Sequence, residues 1–135
     1  MSEAPADVIA RQWMARAETA LVQGERLVGD EFWDVVVSRA YYATFYAVTA
    51  LLTSRGLSAR SHHAALQLFG REFVKTGRIP GRYGRMLSTL FGERQEADYT
   101  PLPDVPADEA RGHLADAREF VADARTLLEE ILGSA

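Results

Sequence analysis

The sequence predicts an all-α protein, an up-and-down four-helix bundle with an additional short helix. Three observations carry this. Residues 34–52, DVVVSRAYYATFYAVTALL, are apolar almost all round at helical spacing, the pattern of a helix in the middle of a bundle. Residues 107–132 repeat Ala110, Leu114, Ala117, Val121, Ala124, Leu128 and Ile131 at alternating steps of four and three, enough for a long antiparallel packing or a dimer seam. No stretch shows the alternation of a strand, and there is no internal repeat or low-complexity tract.

Residues 1–5 read as a frayed start, and 6–28 as a first helix with Ile9, Trp13, Ala17, Ala20, Leu21, Leu27 and Val28 at helical spacing. Gly29-Asp30 breaks that pattern, and Asp30 is a candidate N-cap for the central helix. In the central helix Val36, Ala40, Ala43, Ala47 and Ala50 make a seam of small side chains, where another helix can approach closely. Tyr41, Phe45, Val48 and Leu52 form a second stripe; Val35, Arg39, Tyr42, Tyr46 and Thr49 form a third. Arg55-Gly56 ends the helix. Ser61 can cap a third helix over 62–76, with Ala65, Leu66, Phe69, Phe73 and Val74 inward. A loop over 76–81 precedes a fourth helix over 83–97, whose stripe is Tyr83, Met86, Leu87, Leu90 and Phe91. Three prolines within 100–106 make a crossing loop, and Gly133 stops the last helix.

At 135 residues the chain is long enough for a single domain, 1–135, with its own core. It has no cysteine and three histidines, His62, His63 and His113, so neither a disulfide framework nor a thiolate metal site is expected. No metal and no cofactor are expected. The acidic, polar start is not a signal peptide, and the longest uncharged run, 40–54, is too short to span a bilayer. A cytoplasmic protein with no membrane association is expected. The net charge of −4 is uneven: −3 over 1–54, +6 over 55–94 and −7 over 95–135. Seven of the eight bases in the middle are arginines, which suit forked recognition of phosphate. The plainer reading is a solvated basic face that pairs with the acidic last helix.

Four polar features stand out. Arg39 lies one turn before Tyr42 on an apolar helix. It either orders a polar site or packs its stem and lets its head escape to the edge. Arg94-Gln95-Glu96-Ala97-Asp98-Tyr99 places Arg94, Asp98 and the inward end of Tyr99 near one another on a helix. That offers a cation for phosphate, a carboxylate to orient it and a phenol; the alternative is a simple i,i+4 pair at a helix end. His62-His63 sits at a helix start, where anions are favoured, or is one solvated and one packed histidine. His113, between Gly112 and Leu114 on an acidic helix, reads as surface. There is no P-loop, G-x-G-x-x-G, G-x-S-x-G or H-E-x-x-H.

Three separated strings, SRAYYATFYAVTALLTSRGL (38–57), SHHAALQLFGREFVKTGRIP (61–80) and GRMLSTLFGERQEADY (84–99), occur in the order found in the HEPN family. The chain resembles the bacterial and archaeal branch of these "higher eukaryotes and prokaryotes nucleotide-binding" domains over roughly residues 6–132. The resemblance implies a helical bundle, often a homodimer, and RNA or a nucleotide as ligand. Many members are metal-independent ribonucleases, and some are toxins paired with a small nucleotidyltransferase. The family's catalytic Arg-polar-x-His pattern maps onto Arg94 and Gln95, with Tyr99 where the histidine would stand. A phenol of ordinary pKa near 10 is a weak base at neutral pH, and His62 is a candidate to substitute for it in space. Arg94, Tyr99 and His62 are thus the candidate catalytic residues, and Arg39, Tyr42, Gln95 and Asp98 the candidate RNA- or nucleotide-binding ones. The other reading is a non-catalytic module that docks a nucleotidyltransferase or another partner protein.

Overall fold

The computed structural model describes residues 4–133, and among these there are five α-helices and no strands. They are α1 (Pro5–Gly29), α2 (Trp33–Ser54), α3 (His62–Phe69), α4 (Arg82–Asp98) and α5 (Ala107–Gly133). Of the expected frayed start, residues 1–3 lie outside the described residues. Pro5 instead opens α1 at the first helical position, where its missing N–H costs nothing.

The direction of each long helix follows from its cross-helix pairs. Glu18 and Glu25 of α1 meet Arg125 and Arg118 of α5 in reverse order, so these helices are antiparallel. Val36, Val37 and Ala40 near the start of α2 pack with Ala110, Leu114 and Ala117 near the start of α5, so α2 runs parallel to α5. Arg82 at the start of α4 reaches Glu119, whereas Glu93 near its end meets Glu109; α4 therefore runs against α5. The chain goes up and down through α1, α2, α4 and α5, with α3 inserted after α2.

The small seam is the centre of the packing. Val36, Ala40, Ala43, Ala47 and Ala50 are all fully buried. The buried stripe of α1 is small too, apart from Met14: Ala10, Met14, Ala17, Ala20 and Gly24. A Cβ added at Gly24 would lie 2.9 Å from Leu114 Cδ1 and 3.4 Å from Arg39 Cβ, so at Gly24 α1 lies close to both α2 and α5. Ala17 and Ala20 of the expected stripe are buried, and Trp13, Leu21, Leu27 and Val28 are half-buried against the core. Ile9 is the exception at 46% exposed; Ala10 and Met14 turn inward in the first turns instead. Alanine gives a weak periodic signal, so the large Ile9 stood out where Ala10 did not.

Three other expectations change. Asp30 does not cap α2: it ends α1, Glu31 takes a left-handed φ of 57°, and Phe32 is the N-cap position without a side-chain bond. The third helix is not continuous to 76. It passes at Gly70 into a π-helical turn, Gly70–Val74, closed by Lys75 N–H donating to the Gly70 carbonyl. The wider turn keeps Phe73 buried and brings it into stacked contact with Phe69. Finally, α2 is not buried all round: Val35, Arg39, Tyr42, Tyr46 and Thr49 lie at its rim, half-buried or exposed.

The caps at Ser61 and Gly56 are as expected. The Ser61 hydroxyl accepts from Ala64 N–H at 3.0 Å. Gly56 takes φ 72° while Leu57 N–H returns to the Leu52 carbonyl, a Schellman ending. Trp33–Ser54 as a whole is long and apolar enough to cross a bilayer, a length that the uncharged run 40–54 understates, but most of it is buried inside the bundle.

Ala43→Leu should destabilise the fold by about 1–3 kcal/mol, because a fully buried seam cannot take the added volume without moving α1. A thermal melt should show Tm lowered by several degrees. An unchanged Tm would mean that the seam has room to spare.

Candidate functional site

The two tyrosines of RAYYA diverge because adjacent helical residues point about 100° apart. Tyr41 turns inward and is fully buried; Tyr42 stays at the rim. Burial with a polar tip demands a partner, and the Tyr41 hydroxyl finds one in His62 Nδ1 at 2.7 Å. The His62 ring also packs 4.0 Å from the Phe45 ring, centroid to centroid. Position and tautomer are thereby linked: with Nδ1 as donor to the phenol oxygen, Nε2 is a free base, and with Nδ1 as acceptor, Nε2 carries the proton.

Arg94 approaches from the last turns of α4. It donates to the Tyr42 hydroxyl at 2.6 Å and lies 3.3 Å from Asp98. Its guanidinium carbon sits 5.2 Å and 4.9 Å from the ring centroids of Tyr41 and Tyr42. Arg94 Nε is buried without a hydrogen-bond partner; the aromatic faces are what it meets instead. The i,i+4 pair with Asp98 is in the weaker order and supplies only about 0.2–0.5 kcal/mol. The aromatic floor and the Tyr42 bond therefore hold the guanidinium more firmly than Asp98 does.

The electrostatics follow from this arrangement. Burial, and then the Arg94 charge, push the His62 pKa below its ordinary 6.5, so the ring is neutral at pH 7. Burial raises the Tyr41 pKa, outweighing the opposing pull of Arg94, and keeps the phenol protonated.

Arg39 joins at the margin. It donates to Gln23 of α1 at 3.0 Å and lies 5.2 Å from the Tyr42 centroid, so Tyr42 has two guanidiniums close to its ring. Further along α1, Arg16 stands over both Trp13 and Tyr46, whose rings stack at 5.7 Å. The structure therefore gathers Arg94, His62, Tyr42, Asp98 and Arg39. It does not bring in Gln95, which is exposed and turned about 100° away from Arg94, or Tyr99. Tyr99 caps α4 and is 86% exposed, with no inward end, because the chain leaves helical geometry there and turns into the proline loop.

Tyr41, Phe45 and Arg16 are the members that sequence reasoning missed. Tyr41 and Phe45 looked like core, and Arg16 was not singled out. An Arg one turn after a Trp was the only available signal. The histidine pair divides as its plainer reading expected: His62 is packed and His63 is exposed. His113 departs from the surface reading; its side chain is 14% exposed and its Nε2 is buried. Nor do the central bases mostly pair with α5. Arg82 does, through Glu119, but Arg94 turns to α2, and Arg60, Arg71 and Lys75 border an open groove beside α3.

Known proteins share this chain's pattern over most of its length. A protein of Thermotoga maritima named "UPF0332 protein" is 33% identical over 123 residues, covering 91% of this chain and 93% of its own. Two proteins of Methanocaldococcus jannaschii named "Putative toxin" are 35% and 34% identical. The first alignment covers 86% of each chain; the second covers 73% of this chain and 71% of the relative. The sequence model of the HEPN domain matches residues 10–132. With the all-helical bundle and the three motifs in place, the chain belongs to the HEPN domain family.

Proposed function

We propose that this protein is a metal-independent ribonuclease of a toxin–antitoxin-like pair, acting in the cytoplasm as a homodimer with a nucleotidyltransferase as protein partner. The observation that carries this reading is the meeting of Arg94 with His62 over the Tyr41 and Tyr42 rings: a fixed guanidinium beside a neutral imidazole. The names of the two M. jannaschii relatives support the toxin-like part.

The chemistry asks little more of the chain. His62 Nε2 takes the proton from a ribose 2′-hydroxyl. The 2′-oxygen attacks the adjacent phosphorus, and Arg94 balances the charge that builds on the phosphoryl oxygens. The P–O5′ bond breaks, the 5′-oxygen takes up a proton, and a 2′,3′-cyclic phosphate remains. The imidazolium formed at His62 in the first step, or water, supplies that proton. Tyr42 and Asp98 orient Arg94, and Arg39 extends the positive rim along the RNA strand. Gln95 and Tyr99, exposed and outside the Arg94–His62 cluster, have no part in this step.

A specific observation favours a second reading. Tyr99 and Leu102 are 86% and 89% exposed on the turn after α4, a pairing suited to a protein partner. A non-catalytic module that docks a nucleotidyltransferase, or another chain, would use that end.

RNA cleavage in EDTA should separate the two. Arg94→Ala should lower the rate about 10²–10³-fold, as loss of one charge-stabilising donor does, with the helical circular dichroism intact. His62→Ala should cost a comparable factor, whereas Tyr99→Phe should stay near wild type. If neither wild type nor variants cleave, the docking reading stands. If Arg94→Ala unfolds, Arg94 is structural.

The sign of the His62 shift gives an independent check. The charged form is disfavoured in the fold, so His62 should titrate below pH 6.5 by NMR and the acid limb of activity should lie there too. Arg94→Ala removes a repelling positive charge and should raise that midpoint. A wild-type midpoint at or above 6.5 would contradict the burial and proximity described here.

A further inference from the structure

Glu93 precedes Arg94 on α4 and is rotated about 100° from it, so it faces α5 while Arg94 faces α2. A carboxylate oxygen of Glu93, one of Glu109 and a ring nitrogen of His113 all lie within 4.8 Å of one another. Glu109 and His113 are one turn apart on α5 and share a face. His113 Nε2 is buried with no hydrogen-bond partner; the nearest carboxylate oxygen, Glu109 Oε1, is 3.7 Å away, too far for a hydrogen bond. The crossing loop borders a recess of about 300 Å³ at this end, lined by Glu93, Glu96, Asp104 and Glu109 among others.

Among the described residues no arginine or lysine forms an ion pair with Glu93 or Glu109. Two carboxylates this close, Glu93 half-buried and Glu109 exposed, repel unless a positive charge or a shared proton lies between them. Burial and the neighbouring Glu109 raise the Glu93 pKa accordingly. An imidazole nitrogen beside two carboxylates is a donor set that suits zinc and similar ions, whereas magnesium and calcium prefer oxygen alone.

We propose that Glu93, Glu109 and His113 bind one divalent transition-metal ion of the zinc type, which clamps the end of α4 to the start of α5. The ion relieves the carboxylate repulsion and gives His113 Nε2 its missing partner. It takes no part in the chemistry assigned to Arg94. It fixes the helical turns that carry Arg94, and the proposal holds whether or not RNA is cleaved.

The test is equilibrium dialysis of the full chain, stripped with chelator and returned to Zn²⁺, with metal analysis and a thermal melt. One equivalent per chain and a raised Tm are expected. His113→Gln should weaken binding at least tenfold, since even loss of a residue supporting a ligand costs about 10–100-fold. Glu109→Gln serves as the second variant should His113→Gln fail to fold, and exposed His63→Ala should bind as wild type does. Absence of stoichiometric binding would overturn the site. So would binding unchanged in both site variants, or binding lost in His63→Ala.

Discussion

Everything in this bundle depends on how closely α1 and α5 can approach α2. The side chains that set the approach are small: Ala40, Ala43, Ala47 and Ala50 on α2, Ala17, Ala20 and Gly24 on α1, and Ala110, Ala117 and Ala124 on α5. Alanine adds little transfer energy of its own. What it permits is dense contact between backbones and between the larger side chains at each side, and that density is the source of packing energy. Exposed charges then follow the geometry. The pairs Glu18–Arg125 and Glu25–Arg118 run along the α1–α5 seam. Each contributes little, but together they disfavour a shifted register.

The site is a by-product of the same helix. Because α2 is sealed on its small face, its bulky aromatic residues crowd toward α3 and α4. Tyr41, Phe45 and His62 fill the gap there. One buried hydroxyl needs a partner, and it fixes the histidine. One rim hydroxyl, that of Tyr42, needs a partner, and it fixes the arginine. The polar groups are held by aromatic packing rather than by a network of ion pairs, so a positive charge and a neutral base can sit together without neutralising one another.

The charge asymmetry of the chain also acquires a location. The basic middle does not fold back as a block onto the acidic last helix. Arg82 meets Glu119, and the Tyr83 hydroxyl donates to Asp123, where α4 begins. At the other end of the same helix, Arg94 faces the aromatic rim while Glu93 faces acidic α5. One helix thus presents opposite charges to two neighbours within a single step of sequence.

The bundle, its helix order, the small seam and two of the caps could be read from spacing, because they depend on contacts within one helix face and on local backbone preference. Motif order pointed to the family for the same reason: each string lies within one element. Arg94, His62 and Tyr42 were named as candidates, but what connects them was not visible. Tyr41 and Tyr42 are adjacent in sequence and identical in type; burial alone makes one the partner of His62 and the other the partner of Arg94. Tyr99 is the converse case. It follows Arg94 at a spacing a helix would make meaningful, yet the helix ends there and leaves it in solvent. His113 looked like surface because it lies on an acidic helix, yet packing leaves its side chain only 14% exposed and its Nε2 buried. Periodicity reports which face a residue occupies. Which helix then covers that face, and which polar atom on it goes without water, are set by packing between segments far apart in the chain.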